Sequence, residues 1–216
     1  MSEVDLSRAA ALRKIEADGI ESVLLPAGFE RTSNRSWCRR TPELQHVIAL
    51  LSRRGRFDVQ WGVVSPEAVP VLWGTDFRDG DVGAALMSGT PGTIHHPPEC
   101  QSFRLDAATS ADDAEQVASG VAADLGRVEA RLRAFSSRKE VRSYLLLNRD
   151  PTDRRDFVIP ANLPLKLFSA ATLAVIDSDP AAAELISEAE DAMAPFKDDL
   201  SVARLQRLRA AGSSQS

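Results

Sequence analysis

Cysteine is nearly absent from this chain: two in 216 residues exclude a disulfide-stapled scaffold. Three histidines leave little material for a metal cluster or a histidine-based acid–base site. Aromatic residues make up only 6%, with a single tyrosine, which argues against a platform for stacking bases. No long apolar run is present. The most apolar segment, Ala161 to Ile176, contains Lys166 and is too short for a membrane span. The first residues, "MSEVDLSRAA", carry acids and no apolar stretch after a basic start, which predicts no secretory signal. An excess of basic residues is also missing: 26 Lys and Arg face 31 Asp and Glu, a net charge of −5, against bulk binding of nucleic acid. Together these absences predict a soluble cytoplasmic protein with reduced thiols.

What is present is ordinary for a globular domain, with 44% apolar and 26% charged residues. From Asp5 to about Pro26 the spacing of Leu12, Ile15, Ile20, Val23 and Leu24 predicts a helix, stopped by Pro26 and Gly28. Four strand-like segments follow. "FERT" and "RSWCRRT" flank the turn "SN", and "LQHVIALL" is apolar on both faces, as a central strand requires. In "FDVQWGVVS", Phe57, Val59, Trp61 and Val63 alternate with Asp58, Gln60 and Gly62, the signature of a strand with one buried face. "RRGR" at 53–56 supplies the turn between the last two. Residues 74 to 100 hold five glycines and three prolines and predict a long functional or flexible loop, with a short strand "QSFRL" after it.

Ser110 with Asp113 is a capping signal, and Val117, Val121, Leu125, Val128, Leu132 and Phe135 continue it as an amphipathic helix. Ser137 and Glu140 open another helix. The polar connector "NRDPTDRRD" at 148–156 suggests a boundary, followed by helices over 163–176, from Asp179-Pro180 onward, and across "PFKDDLSVARLQRLRA". The fold class expected is α+β: an antiparallel sheet of about four to five strands packed by an N-terminal helix and a long middle helix, with additional C-terminal helices. The expected division is an α+β domain at 1–148, a helical extension at 149–211 and a disordered tail at 212–216.

Candidate chemistry is sparse. "TIHHPPEC" sets His95 and His96 beside Cys100, but adjacent residues of an extended chain point to opposite sides, and Pro97-Pro98 stiffens the path. A fourth ligand from Glu99, His46 or Cys38 is not required by any spacing, so no metal or other cofactor is expected. Cys38, in "RSWCRR", could have its thiol pKa lowered by Arg39 and Arg40, yet a cysteine beside tryptophan in a strand is more often a small buried hydrophobe. "GTPGTIHH" lacks the Gly-Lys-Ser/Thr ending of a phosphate loop, and "LMSGT" lacks the first glycine of a nucleophile elbow. Asp76, Asp79 and Asp81 fall out of register with a calcium loop, whose twelfth position here is Met87.

One feature exceeds background. Between residues 31 and 56 lie seven arginines (31, 35, 39, 40, 53, 54 and 56) against one acid, Glu43. Adjacent hairpins would gather them on one rim and face of a sheet, where guanidinium groups suit bidentate contact with carboxylate or phosphate. The plainer reading is a solvated surface that protects a sheet edge. Seven acids and one lysine lie between Asp179 and Asp199, and they either form the outer face of a helix or fold back onto the arginine rim.

A helix ending in "LLPAGFERTSNRSWCRRT", followed by "HVIALLSRRGRFDVQWGVV", resembles the bacterial domain-of-unknown-function family 4304. The features that match are Gly28-Phe29 after the helix, the turn into the strand bearing Trp37, and two apolar strands ending in "FDVQWGVV", within about residues 5 to 135. The resemblance implies an α+β domain with an antiparallel sheet backed by helices. It implies no activity and no catalytic residues.

The sequence therefore predicts a bacterial protein that binds rather than catalyses, possessing an immunity-like or regulatory role. Arg35, Arg39, Arg40, Arg53, Arg54 and Arg56 are expected to contact an acidic protein partner. A competing expectation is a small-ligand or metal-dependent enzyme whose cleft lies under loop 74–100, with Trp61, Trp73, His95 and His96 lining it. A third is binding of nucleic acid through the arginine rim.

Overall fold

In the computed structural model the residues described are 5–32, 35–53, 56–91, 103–104, 109–147, 163–196 and 198–214. A short strand β1 (Asp5–Leu6) leads into helix α1 (Arg8–Lys14), capped by the Ser7 hydroxyl, which accepts from the Ala10 N–H at 3.2 Å. The helix continues without a break as a π-helical segment (Ile15–Glu21) and ends in α2 (Ser22–Leu24). The chain then forms β2 (Glu30–Arg31), β3 (Ser36–Arg40), β4 (Gln45–Arg53) and β5 (Arg56–Val64), followed by helix α3 (Val69–Trp73). A 3-10 turn at Val82–Ala84 precedes β6 (Met87–Gly89), β7 (Phe103–Arg104) and β8 (Thr109–Ser110). The helices α4 (Ala111–Leu132), α5 (Arg138–Leu147), α6 (Leu163–Ile176), α7 (Ala182–Met193) and α8 (Asp199–Ser213) complete the order.

This is an α+β fold. The main sheet is antiparallel in the order β2-β3-β4-β5-β6, and β7 also pairs with β5; β1 and β8 form a separate small ladder. One register row sets Trp37 opposite Ile48, Ile48 opposite Trp61, and Trp61 opposite Gly89. Directly opposite residues share a face, and both tryptophans, with Phe57, Val59 and Val63, are buried in the core. The π-helical segment and α4 cover that face. Their backbones come so close at Gly19 that a Cβ there would stand 2.9 Å from the Ala118 carbonyl oxygen. The capping box opens α4 as expected, with Ser110 Oγ accepting from the Asp113 N–H at 3.0 Å and Asp113 accepting from the Ser110 N–H at 3.3 Å.

The opposite face of the sheet carries Val47 and Val64, which bury against Val69 and Ala84. The described part of the loop, 74–91, is therefore packed on the sheet. Gly62 makes room for it, since a Cβ there would lie 2.9 Å from that of Ala85. The Gln45 side chain fixes the crossing: its amide donates to Asp79 at 2.9 Å and its carbonyl accepts from the Gly80 N–H at 3.1 Å.

The C-terminal helices contribute to the same core. Leu167 to Val175 of α6 are buried on every side, and Phe168, Leu173, Leu185 and Leu208 belong to the same cluster as Trp37 and Trp61. A helix apolar all round has to be enclosed, and α5, α7 and α8 enclose it. Helix α8 begins at Asp199, later than the sequence suggests, with Asp198 as its cap; it runs to Ser213, beyond the predicted boundary at 211. Among the described residues no helix is long and apolar enough to cross a membrane.

Candidate functional site

Strand alternation divides the arginines of the rim. Trp37 faces the helices, so Arg39 does too, while Cys38 and Arg40 face the other way. Arg31 and Arg35 flank the β2–β3 turn. Arg31 pairs with Glu16 at 2.8 Å and with Glu21 at 2.9 Å, and its guanidinium lies 5.5 Å from the centre of the Trp37 ring. Glu21 also accepts the Trp37 indole N–H at 3.2 Å. Arg35 adopts the left-handed conformation (φ 62°), and its Nε lies 2.6 Å from Glu16 Oε1, an ion pair without hydrogen-bond alignment. Glu16 and Glu21 both belong to the π-helical segment, so that segment anchors the hairpin.

Arg39 enters a buried polar network. It donates to Glu129 at 2.7 Å and to the Ala27 carbonyl at 3.2 Å, and its guanidinium lies 4.8 Å from the centre of the Phe29 ring. His46, opposite it in the ladder and 1% exposed, lies 3.1 Å from Arg39 through Nδ1. Its Nε2 is 2.6 Å from the Phe135 carbonyl. A guanidinium can only donate and a carbonyl only accept, which assigns the neutral tautomer with the proton on Nε2. Burial lowers the His46 pKa, consistent with that neutral ring. Burial pushes the Glu129 carboxyl up, but hydrogen bonds from Arg133 and Arg39 outweigh it and leave it below the usual range. Every member of this triad has its partner within the fold.

Arg40 bridges Glu30 at 3.0 Å and Asp79 at 2.8 Å, tying β2 and the loop to the sheet. Cys38 is buried beside it, and burial pushes its thiol pKa up. The nearby Arg40 charge acts the other way and does not prevail, so the buried-hydrophobe reading of Cys38 holds over the nucleophile.

The remaining arginines form a different arrangement. Arg53 stands opposite Arg56 in the β4–β5 ladder, and Arg56 opposite Arg104 in the β5–β7 ladder. Arg54 follows Arg53 in the sequence and lies outside the described residues. Arg56 is exposed, and no carboxylate lies within ion-pair distance of it among the described residues. Sequence reasoning missed Arg104, because only the pairing of β7 with β5 brings it into the row.

Among the described residues, two of the C-terminal acids pair with arginines of neighbouring helices. Asp179 pairs with Arg142 of α5 at 2.5 Å, and Glu190 with Arg209 of α8 at 2.6 Å. Glu43 instead accepts the Arg138 N–H at 2.8 Å, and the Arg138 side chain reaches Asp177 at 2.5 Å and also pairs with Glu67. Arg138 thereby joins the sheet loops to the C-terminal helices.

Of the proposed cleft residues, Trp61 is in the core, its indole donating to the Thr90 carbonyl at 3.0 Å. Trp73 ends α3 and donates to the Ala84 carbonyl at 3.1 Å. Trp61 belongs to the main core cluster, and Trp73 is partly buried against both that cluster and the Val47, Val64, Val69 and Ala84 cluster. His95, His96 and Cys100 lie outside the described residues. Among the described residues no group of three His, Cys, Asp or Glu side chains could hold a metal ion. Compared with family models, curated proteins and solved structures, the chain matches none, and the resemblance to family 4304 gains no match there.

Proposed function

We propose that this protein is a non-enzymatic binding module of the bacterial cytoplasm, of an immunity or regulatory kind and related to family 4304, that captures an acidic protein partner. Contact is made at the end of the β4–β5 hairpin by Arg53, Arg54, Arg56 and Arg104. The observation that carries the reading is the register row Arg53–Arg56–Arg104. Like charges directly opposite one another in a ladder are destabilising, and an apposed carboxylate surface turns that cost into affinity. Arginine's fork of donors suits carboxylates in particular. Arg31, Arg35, Arg39 and Arg40, by contrast, already hold carboxylates of their own chain. They support the hairpin and leave its end as the contact.

The test is capture from nuclease-treated lysate by wild type and by the R53E/R54E/R56E/R104E variant. A protein retained by wild type, released by added salt and lost with the variant is the expected result. Equal capture by both, or retention of labelled DNA or RNA in place of a protein, overturns the proposal.

A further inference from the structure

Helix α8 brings two arginines, Arg204 and Arg207, against α3. Arg31, Arg39, Arg40, Arg138 and Arg142 each lie within ion-pair distance of a carboxylate. Arg204 and Arg207 have no such partner among the described residues. Arg204 is 8% exposed. Its Nε reaches the Leu72 carbonyl only at 3.4 Å, beyond the usual hydrogen-bond range, and its guanidinium lies 4.9 Å from the centre of the Trp73 ring. Arg207 donates to the Val71 carbonyl at 2.9 Å and to that of Leu72 at 3.3 Å. Two guanidinium groups thus converge on the carbonyl end of a five-residue helix. Burial and the neighbouring Arg207 both disfavour the charge on Arg204, and Asp198, beyond ion-pair distance, offsets them only in part. A buried cation without an anion is costly, and a bound anion would remove that cost.

Arg204 is also one wall of a cavity of about 60 Å³, together with Leu72, Trp73, Leu86, Leu165, Phe168 and Ser169. The other walls are largely apolar, and the Trp73 N–H is committed to Ala84. At about 10–15 Å³ for each water-sized body, that space takes roughly four to six non-hydrogen atoms. An inorganic anion would waste the apolar walls, and a neutral hydrocarbon would leave the guanidinium unpaired. We propose that this cavity binds a short-chain monocarboxylate, from acetate to butyrate in size, with the carboxylate on Arg204 and the alkyl chain against Leu86 and Phe168. Such a ligand would tie α8 to α3 and α6, which already touch one another. This site is separate from the arginine row and independent of the proposal made for it.

The probe is sodium butyrate, titrated against the full-length protein at constant ionic strength and followed through the Trp73 indole N–H resonance. That resonance is assigned with the W73F variant. Saturable displacement by butyrate is expected, with butyramide weaker by about ten- to a hundredfold, the value of a charge-assisted hydrogen bond. R204M is expected to abolish the preference for butyrate over butyramide. Because R204M removes a buried side chain and could unfold the protein, S169L, which fills the cavity and keeps Arg204, provides the second arm and is expected to abolish binding. No saturable displacement, equal binding of butyramide, or undiminished binding by folded S169L overturns the inference.

Discussion

Replacing Glu129 by alanine removes the one carboxylate that holds Arg39 at the back of the sheet. Glu129 and Arg39 are 2.7 Å apart, with side chains 10% and 17% exposed, so the pair is largely desolvated. Removing one partner of a fully buried pair costs about 3–5 kcal/mol because the other charge is left uncompensated. Arg39 keeps the Ala27 carbonyl, His46 and the face of Phe29, which moderates the loss. The expected cost of E129A is therefore about 2–3 kcal/mol, somewhat below the figure for a fully buried pair. Glu129 also pairs with Arg133, whose side chain is 68% exposed, and R133A should be near neutral by comparison. The assay is urea unfolding of wild type, E129A, R133A, R39M and the R39M/E129L double variant, at constant slope. The double variant should recover much of the loss, since replacing both charges leaves neither unpaired. If E129A costs no more than R133A, or if the double variant is no better than E129A, the network is not what holds β3 to α4.

The neighbouring histidine gives a pH dependence. Burial sets the His46 pKa below its ordinary 6.5. The unfolded chain then binds the extra proton first, so stability should be full above about pH 6.5 and fall as the pH drops below it towards the folded value; H46Q should flatten that limb of the profile. Gly19→Val should cost about 2 kcal/mol in the same assay, because the new side chain meets the Ala118 carbonyl where backbone has to move. Wild-type stability in G19V would mean the π-helical segment does not lie against α4 as described. In a C100S background, Cys38 should resist thiol reagents until the protein unfolds, since its thiol is buried and its pKa raised. Rapid labelling of native protein would contradict its placement.

Much of the fold was written in short-range patterns. The alternation from Phe57 to Val63, the antiparallel pairing that meets at Arg53 and Arg56, and the Ser110–Asp113 cap each follow from patterns over a few residues, and each appears where expected. The polar connector at 148–156 lies outside the described residues, whereas the all-round apolar character of α6 is plain in its sequence. A helix of that composition needs neighbours on every side, and it finds them within the main core. The π-helical segment had no periodic signature, since its widened turn is set by Gly19 against α4 and by Glu16 and Glu21 reaching the hairpin. Charge counting placed Arg39 and Arg40 on one surface, whereas the period of two that revealed β5 sends them to opposite faces. Their carboxylate partners come from residues 10 to 90 positions away, which local charge balance cannot display. Arg104 joined the candidate surface only through the long-range pairing of β7.

The central claim is that the arginines divide into a set that stabilises the chain and a set that meets a partner. Thermal unfolding and partner capture should be measured side by side on R31E/R40E and on R53E/R54E/R56E/R104E. The account predicts that the first variant unfolds at lower temperature yet retains the partner, while the second keeps its stability and loses it. Loss of partner by a folded R31E/R40E, with undiminished capture by the hairpin-end variant, would contradict it.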